Sequence, residues 1–201
     1  MHIIVAIQLK DRMATRNKET GNNKEENYQE YLRLINNPDY YEVSFDEKSG
    51  GVSGIHRNHK FDKQVGPFGC RRGDYEKMVC SVLRRNGYRI LLESERSHDN
   101  VKNNDGLIND LPMDIKSVES HGIWSISSKL REAEKQGAKV VILFFPDPTL
   151  YSRSRVMDGI SRYEYNPQVQ SMKSIQACMV IVAEQIVDYK KRTPTPTGEW
   201  L

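Results

Sequence analysis

Glu76, Asp105, Asp114 and Lys116 carry the side chains from which an active centre could be built. Asp114 and Lys116 lie two apart, so on a strand both project to one face while Met113 and Ile115 project to the other. Asp105 opens the stretch just before them, and Glu76 stands in the first turn of an earlier helical pattern. Three carboxylates and one amine can thus converge at one edge of a small sheet. Phosphodiester hydrolysis uses such a set. Two or three carboxylates hold Mg²⁺ or Mn²⁺ through hard oxygen ligands, with water completing the shell. The metal neutralises the phosphate, activates a water and steadies the leaving oxygen. A neighbouring lysine orients or deprotonates that water, or stabilises the added negative charge. An isolated D-x-K carries little weight, because charges alternate on many solvated strand faces; the order of elements around it gives it meaning.

Those elements are legible from Gly73 onward. Asp74 is a plausible N-cap for a helix over 75–86, with Met78, Val79, Val82 and Leu83 at helical spacing and Gly87 as its stop. Tyr88–Glu93 reads as a strand, and 94–104 as a polar loop. Two short strands follow, Asp105–Asn109 and Met113–Val118, joined through Pro112. Ser125–Gln136 is an amphipathic helix closed by Gly137, and Lys139–Phe145 (KVVILFF) is a strand buried on both faces. The order over 73–145 is α-β-β-β-α-β, which predicts an α/β (α+β) fold with a mixed central sheet.

Upstream, Met1–Leu9 reads as a short strand, too short for a secretory leader. Residues 10–27 are polar and nearly free of hydrophobes, a linker or the exposed start of a helix. Tyr28–Ile35 is a short helix, Tyr40–Phe45 a strand, and 55–73 a basic, histidine-bearing segment without periodicity. Downstream, 147–165 is a polar, arginine-bearing connection. A final helix is expected over 169–191. Its stripe of Met172, Ile175, Met179, Val182, Ile186 and Tyr189 is spaced 3, 4, 3, 4, 3. That stripe docks on the chain's own sheet or forms the seam of a homodimer. The organisation is thus an N-terminal extension over 1–65, a core over 66–165, and a C-terminal helix and tail over 166–201.

Composition bounds the rest. The 201 residues are 37% hydrophobic and 28% charged, enough for a core without staples. Mean hydropathy is −0.69 and no apolar run approaches a membrane span, so no membrane role is expected. A net charge of +3 is compatible with nucleic acid without implying it. Cys70, Cys80 and Cys178 are odd in number and lack CxxC spacing, which suits a reducing cytoplasmic interior.

The order and the motifs together resemble the core of the PD-(D/E)XK nuclease superfamily. The matching pieces are YEKMV around Glu76, DGLIND from Asp105, LPMDIKSVE around Asp114 and Lys116, and SISSKLREAEKQGAKVVILFF. The last also resembles the C-terminal toxin domains of bacterial contact-dependent growth inhibition proteins, several of which are tRNA nucleases. Residues 39–76 are similar to phage head-morphogenesis proteins that carry related modules. The resemblance implies Asp105 and Asp114 as ligands of Mg²⁺ or Mn²⁺, Lys116 as the catalytic lysine, and Glu76 completing the shell. It implies a nuclease of bacterial or phage origin, with RNA favoured over DNA, and an immunity protein or a phage structural protein as partner. The first aspartate belongs here to D-G rather than P-D, a departure from the family pattern.

Other residues carry two meanings each. Arg71 and Arg72 contact phosphates or are merely solvated. Trp124 stacks on a base or packs against the sheet. Ser125 is an N-cap or helps a helix start bind phosphate. Gln136 is a polar residue of the site or an ordinary helix end. His56 and His59 lack further ligands for zinc, and Arg153, Arg155 and Arg162 extend a basic surface or a solvated face. Two classes of function stand side by side. One is an enzyme, metal-dependent or a metal-free ribonuclease using Lys116 and the 2′-hydroxyl. The other is a non-catalytic interaction module of a phage or mobile-element assembly.

Overall fold

A computed structural model describes residues 24–94, 104–165 and 174–191. The expected strand at 1–9, most of the loop at 94–104 and the tail at 193–201 lie outside the described residues. The chain forms helix α1 over 24–35, strands β1 (Tyr40–Phe45) and β2 (Val52–His56), helix α2 (Arg72–Arg85), and strands β3 (Arg89–Leu92), β4 (Gly106–Ile108) and β5 (Leu111–Ser117). Helix α3 (Ser125–Lys135), strand β6 (Val140–Phe145), helix α4 (Arg153–Glu164) and strands β7 (Ala177–Val182) and β8 (Gln185–Lys191) complete it. The fold is mixed α/β, with one eight-stranded sheet in sequential order β1 to β8. The β2/β3, β5/β6 and β6/β7 pairs are parallel, and α2, α3 and α4 make those crossovers; the remaining pairs are antiparallel.

Strand β6 is apolar throughout because it is covered on both faces. Ile142 and Phe144 join α2's Val79, Val82 and Leu83 on one face. Val141, Leu143 and Phe145 meet Leu130 of α3 and Val156 and Ile160 of α4 on the other. At the β1 end, Leu34 of α1 packs on Val52 and Leu91. No helix among the described residues is long and apolar enough to cross a membrane.

The C-terminal helix expected over 169–191 is not there: described residues 177–191 form the β7/β8 hairpin, and the dimer seam assigned to that helix falls with it. The 3-4 spacing is real, but Cys178, Val180 and Ile181 between the stripe positions are fully buried as well. A run apolar on all sides is a central strand, which pairs in parallel with β6 here. The turn that breaks the run sits at Ala183, with φ +49°, where no Gly, Asn or Pro announces it. Residues 147–165 likewise hold more than a connection, namely a 3-10 turn at Pro148–Leu150 and then α4, capped by Ser152 Oγ, which accepts from the Arg155 N–H. Helix α2 starts at Arg72, so Asp74 lies in its first turn rather than at its cap.

Candidate active site

Strand β5 is the element that positions the chemistry. Its first residues, Leu111–Met113, pair with β4, while Met113–Ser117 pair with β6. Beyond Met113 no strand among the described residues pairs on the β4 side, and the sheet forks. Gly106 makes this geometry possible. A Cβ there would stand 1.9 Å from the Leu91 carbonyl oxygen of β3, so only glycine lets β4 approach so closely. Asp105, directly before Gly106, fills the unpaired side: its Oδ2 accepts from the Ile115 N–H at 2.6 Å, in place of a ladder partner.

Asp114 and Lys116 share a face as the alternation requires, and Lys116 Nζ stands 2.8 Å from Asp114 Oδ2. The Asp114 side chain is fully buried, and Oδ1 has no hydrogen-bond partner among the described residues. Burial, and then the neighbouring Asp105 charge, push the Asp114 carboxyl up to about 8, against the pull of Lys116. Asp105 is also raised, by burial and then by Glu76, against the Ile115 N–H, Asp114 and Lys116. Lys116 continues to the end of α3, where it donates to Gln136 Oε1 at 2.8 Å; Glu132 lies 3.9 Å away. Gln136 thus reaches the expected site.

Glu76 lies in α2, on the side of the fork toward Asp105, which its charge raises. Its expected place as a third ligand is altered by His59. The His59 Nε2 meets Glu76 Oε2 at 2.7 Å, and Nδ1 meets the Glu93 carbonyl at 2.9 Å. A carbonyl and a carboxylate both accept, so the ring donates from both nitrogens, which is the imidazolium form. Burial works against that charge. The Glu76 bond, the Glu93 carbonyl and the charges of Glu76 and Asp105 outweigh it and hold His59 above the usual histidine range. Among the described residues no trio of His, Cys, Asp or Glu is grouped to hold a metal. Burial and mutual repulsion thus favour a proton on the Asp105–Asp114 pair.

The residues expected to touch nucleic acid disperse. Arg72 grips Glu119 through Nε and Nη2, at 2.6 Å for the latter, and donates to Gln64, so its guanidinium is spent within the chain. Arg71 is exposed beside the Val65 bridge. Trp124 is 54% exposed rather than packed on the sheet, and Arg162 covers its ring at 4.7 Å. Ser125 is not the cap. It is the first residue of α3, donates to the Gly122 carbonyl, and accepts from Arg155. Arg155 braces the same loop through the Ser120 and Leu150 carbonyls, and Arg153 pairs with Asp188 at 3.7 Å. His56 does not join His59 as a metal pair; its Nδ1 accepts from the Asn58 N–H.

No family model, curated protein or solved structure matches this chain. The site stands on its own geometry.

Sequence reasoning placed His59 only in a weak histidine pair and passed over Glu93. The signal for both is tertiary. His59 sits in a loop, 17 residues from one partner and 34 from the other.

Proposed function

We propose that this protein is a metal-dependent nuclease of the PD-(D/E)XK kind, acting on RNA in preference to DNA. The observation that carries it is the fork in the sheet, where Asp105 and Asp114 meet beside Lys116 in a buried, acid-rich place. The order α2-β3-β4-β5-α3-β6 supports it, because it is the order that the resemblance implies.

The donor set fits Mg²⁺ or Mn²⁺. Two hard carboxyl groups meet there, and burial with mutual repulsion makes them resist carrying charge together. Asp105 and Asp114 would hold the cation, which supplies charge neutralisation at the phosphate and an activated water. The chain's own groups do the rest. Asp105 is held by the Ile115 N–H and meets the Asp114 carboxyl, so the pair keeps its orientation. Lys116 is held between Asp114 and Gln136, where its ammonium can stabilise charge growing on a phosphate oxygen or orient a water. Release of the proton on the Asp pair is the condition for binding a cation there, so activity rises with pH toward about 8.

One contact favours a second function, a non-catalytic interaction module. The 2.8 Å pairing of Lys116 with Asp114 is also what a purely structural buried pair looks like.

Cleavage of total tRNA and of plasmid DNA by the purified protein decides between them, run with Mg²⁺, Mn²⁺ or EDTA and beside Lys116→Ala. Metal-dependent cleavage lost in Lys116→Ala supports the nuclease. RNA cleavage that survives EDTA supports the metal-free ribonuclease. Intact tRNA and plasmid under every condition leave the interaction module.

A further inference from the structure

His59 is the one buried histidine of the described residues; its side chain is 1% exposed, and its two partners come from different elements. Glu93 directly follows β3, and Glu76 lies in the first half of α2. The same Glu93 accepts from Tyr40 of β1 through its carboxylate, at 2.7 Å, and its N–H donates to the Asp105 carbonyl at 3.0 Å. The ring therefore stands where β1, β3, α2 and the start of β4 meet. Phe61 packs edge-on to the ring at 4.7 Å, which closes it from water. A neutral histidine could satisfy only one of the two acceptors by donation and would leave the other buried and unmatched.

We propose that His59 is a positioning residue of the carboxyl cluster: its doubly donating ring holds the Glu76 carboxylate beside Asp105 and ties α2 to the end of β3. Its consequence for metal binding rests on the nuclease function above. Without the Nε2–H bond, Glu76 is a half-buried carboxylate with its strongest donor removed. The bond that fixes its Oε2 on the Asp105 side of the fork is then gone, and the carboxylate can shift from that place. The cation is then held less tightly, although neither Asp105 nor Asp114 has changed.

Two near-isosteric variants separate the ring's two bonds. The amide nitrogen of His59→Gln reaches the place of Nε2 and donates to Glu76. That of His59→Asn reaches only the place of Nδ1 and donates to the Glu93 carbonyl. Mn²⁺ binding to the metal-free full chain is measured by electron paramagnetic resonance. His59→Gln should keep the affinity within about threefold, and His59→Asn should weaken it by about ten- to a hundredfold. In cleavage, His59→Asn should lower kcat with KM unchanged. Equal affinity in the two variants, or a His59→Asn variant that binds Mn²⁺ like the parent, overturns the proposal. A second readout needs neither metal nor activity. Nitrogen-15 spectra of the metal-free parent, followed through pH, should show His59 losing its second ring proton at a higher pH than a free imidazole; loss at the same or a lower pH overturns the proposal outright. A parent that binds no Mn²⁺ and cleaves nothing overturns the nuclease function instead, and the ring spectrum then decides the positioning of Glu76 by itself.

Discussion

Strands β5 and β6 are neighbours in register, yet they do opposite work. Asp114 stands beside Val141 and Lys116 beside Leu143, on the same face of the same sheet. On β6 every side chain is apolar and buried, and the strand is paired on both sides. On β5 the same positions carry an acid and an amine, and past Met113 no described strand pairs on one side. The difference lies in what each buried group gains. Val141 and Leu143 gain transfer from water. Asp114 loses hydration and recovers part of it from Lys116, so its burial disfavours its own charge. Strand β6 stabilises the molecule, and β5 carries a buried carboxyl whose charge its surroundings disfavour.

Five tests bear on that contrast. Asp114→Ala should reduce cleavage by about a thousandfold or more, the worth of several kcal/mol of charge stabilisation, while circular dichroism stays native. An unfolded or fully active variant would sink the assignment. On β6, Phe144→Ala should do the reverse. Phe144 is fully buried against Tyr75, and its loss should cost about 3–5 kcal/mol in urea unfolding, with kcat per folded molecule little changed.

Third, metal should stabilise the fork and nothing else. Mn²⁺ at a hundred times its dissociation constant should add about 2.7 kcal/mol to the parent. It should add nothing to Asp114→Asn, as read by thermal unfolding.

Fourth, the fork should leave a mark on stability against pH. Asp114 is raised in the folded state from its ordinary 3.8 to about 8. Between those values the folded chain binds more protons than the unfolded one, so stability falls as pH rises from about 4 to about 8. Asp114→Asn should flatten that slope. A parent and variant with parallel stability–pH curves would mean that Asp114 ionises without penalty. Trp124→Ala should be nearly silent in stability, near the ~0.5–1 kcal/mol of an exposed cation–π contact. If Trp124 stacks on a base, the variant should still weaken nucleic-acid binding.

The sequence by itself determined the local elements of the centre and the pair at its heart. Alternation placed Asp114 and Lys116 on one face, Gly87 and Gly137 marked two helix ends, and the apolar run at Val140–Phe145 declared a strand covered on both sides. Each of these follows from interactions within a few residues of chain. The tertiary structure decided everything that depends on what lies across a gap. It made 177–191 a hairpin, because β6 offered an edge to pair with, and a short apolar run has no period of its own strong enough to refuse it. It turned Arg72 onto Glu119 through a two-pronged contact and gave Glu76 to the buried His59, pairings set by residues far apart in the chain. The fork itself, on which the proposed chemistry rests, exists only because β4 ends where β5 goes on.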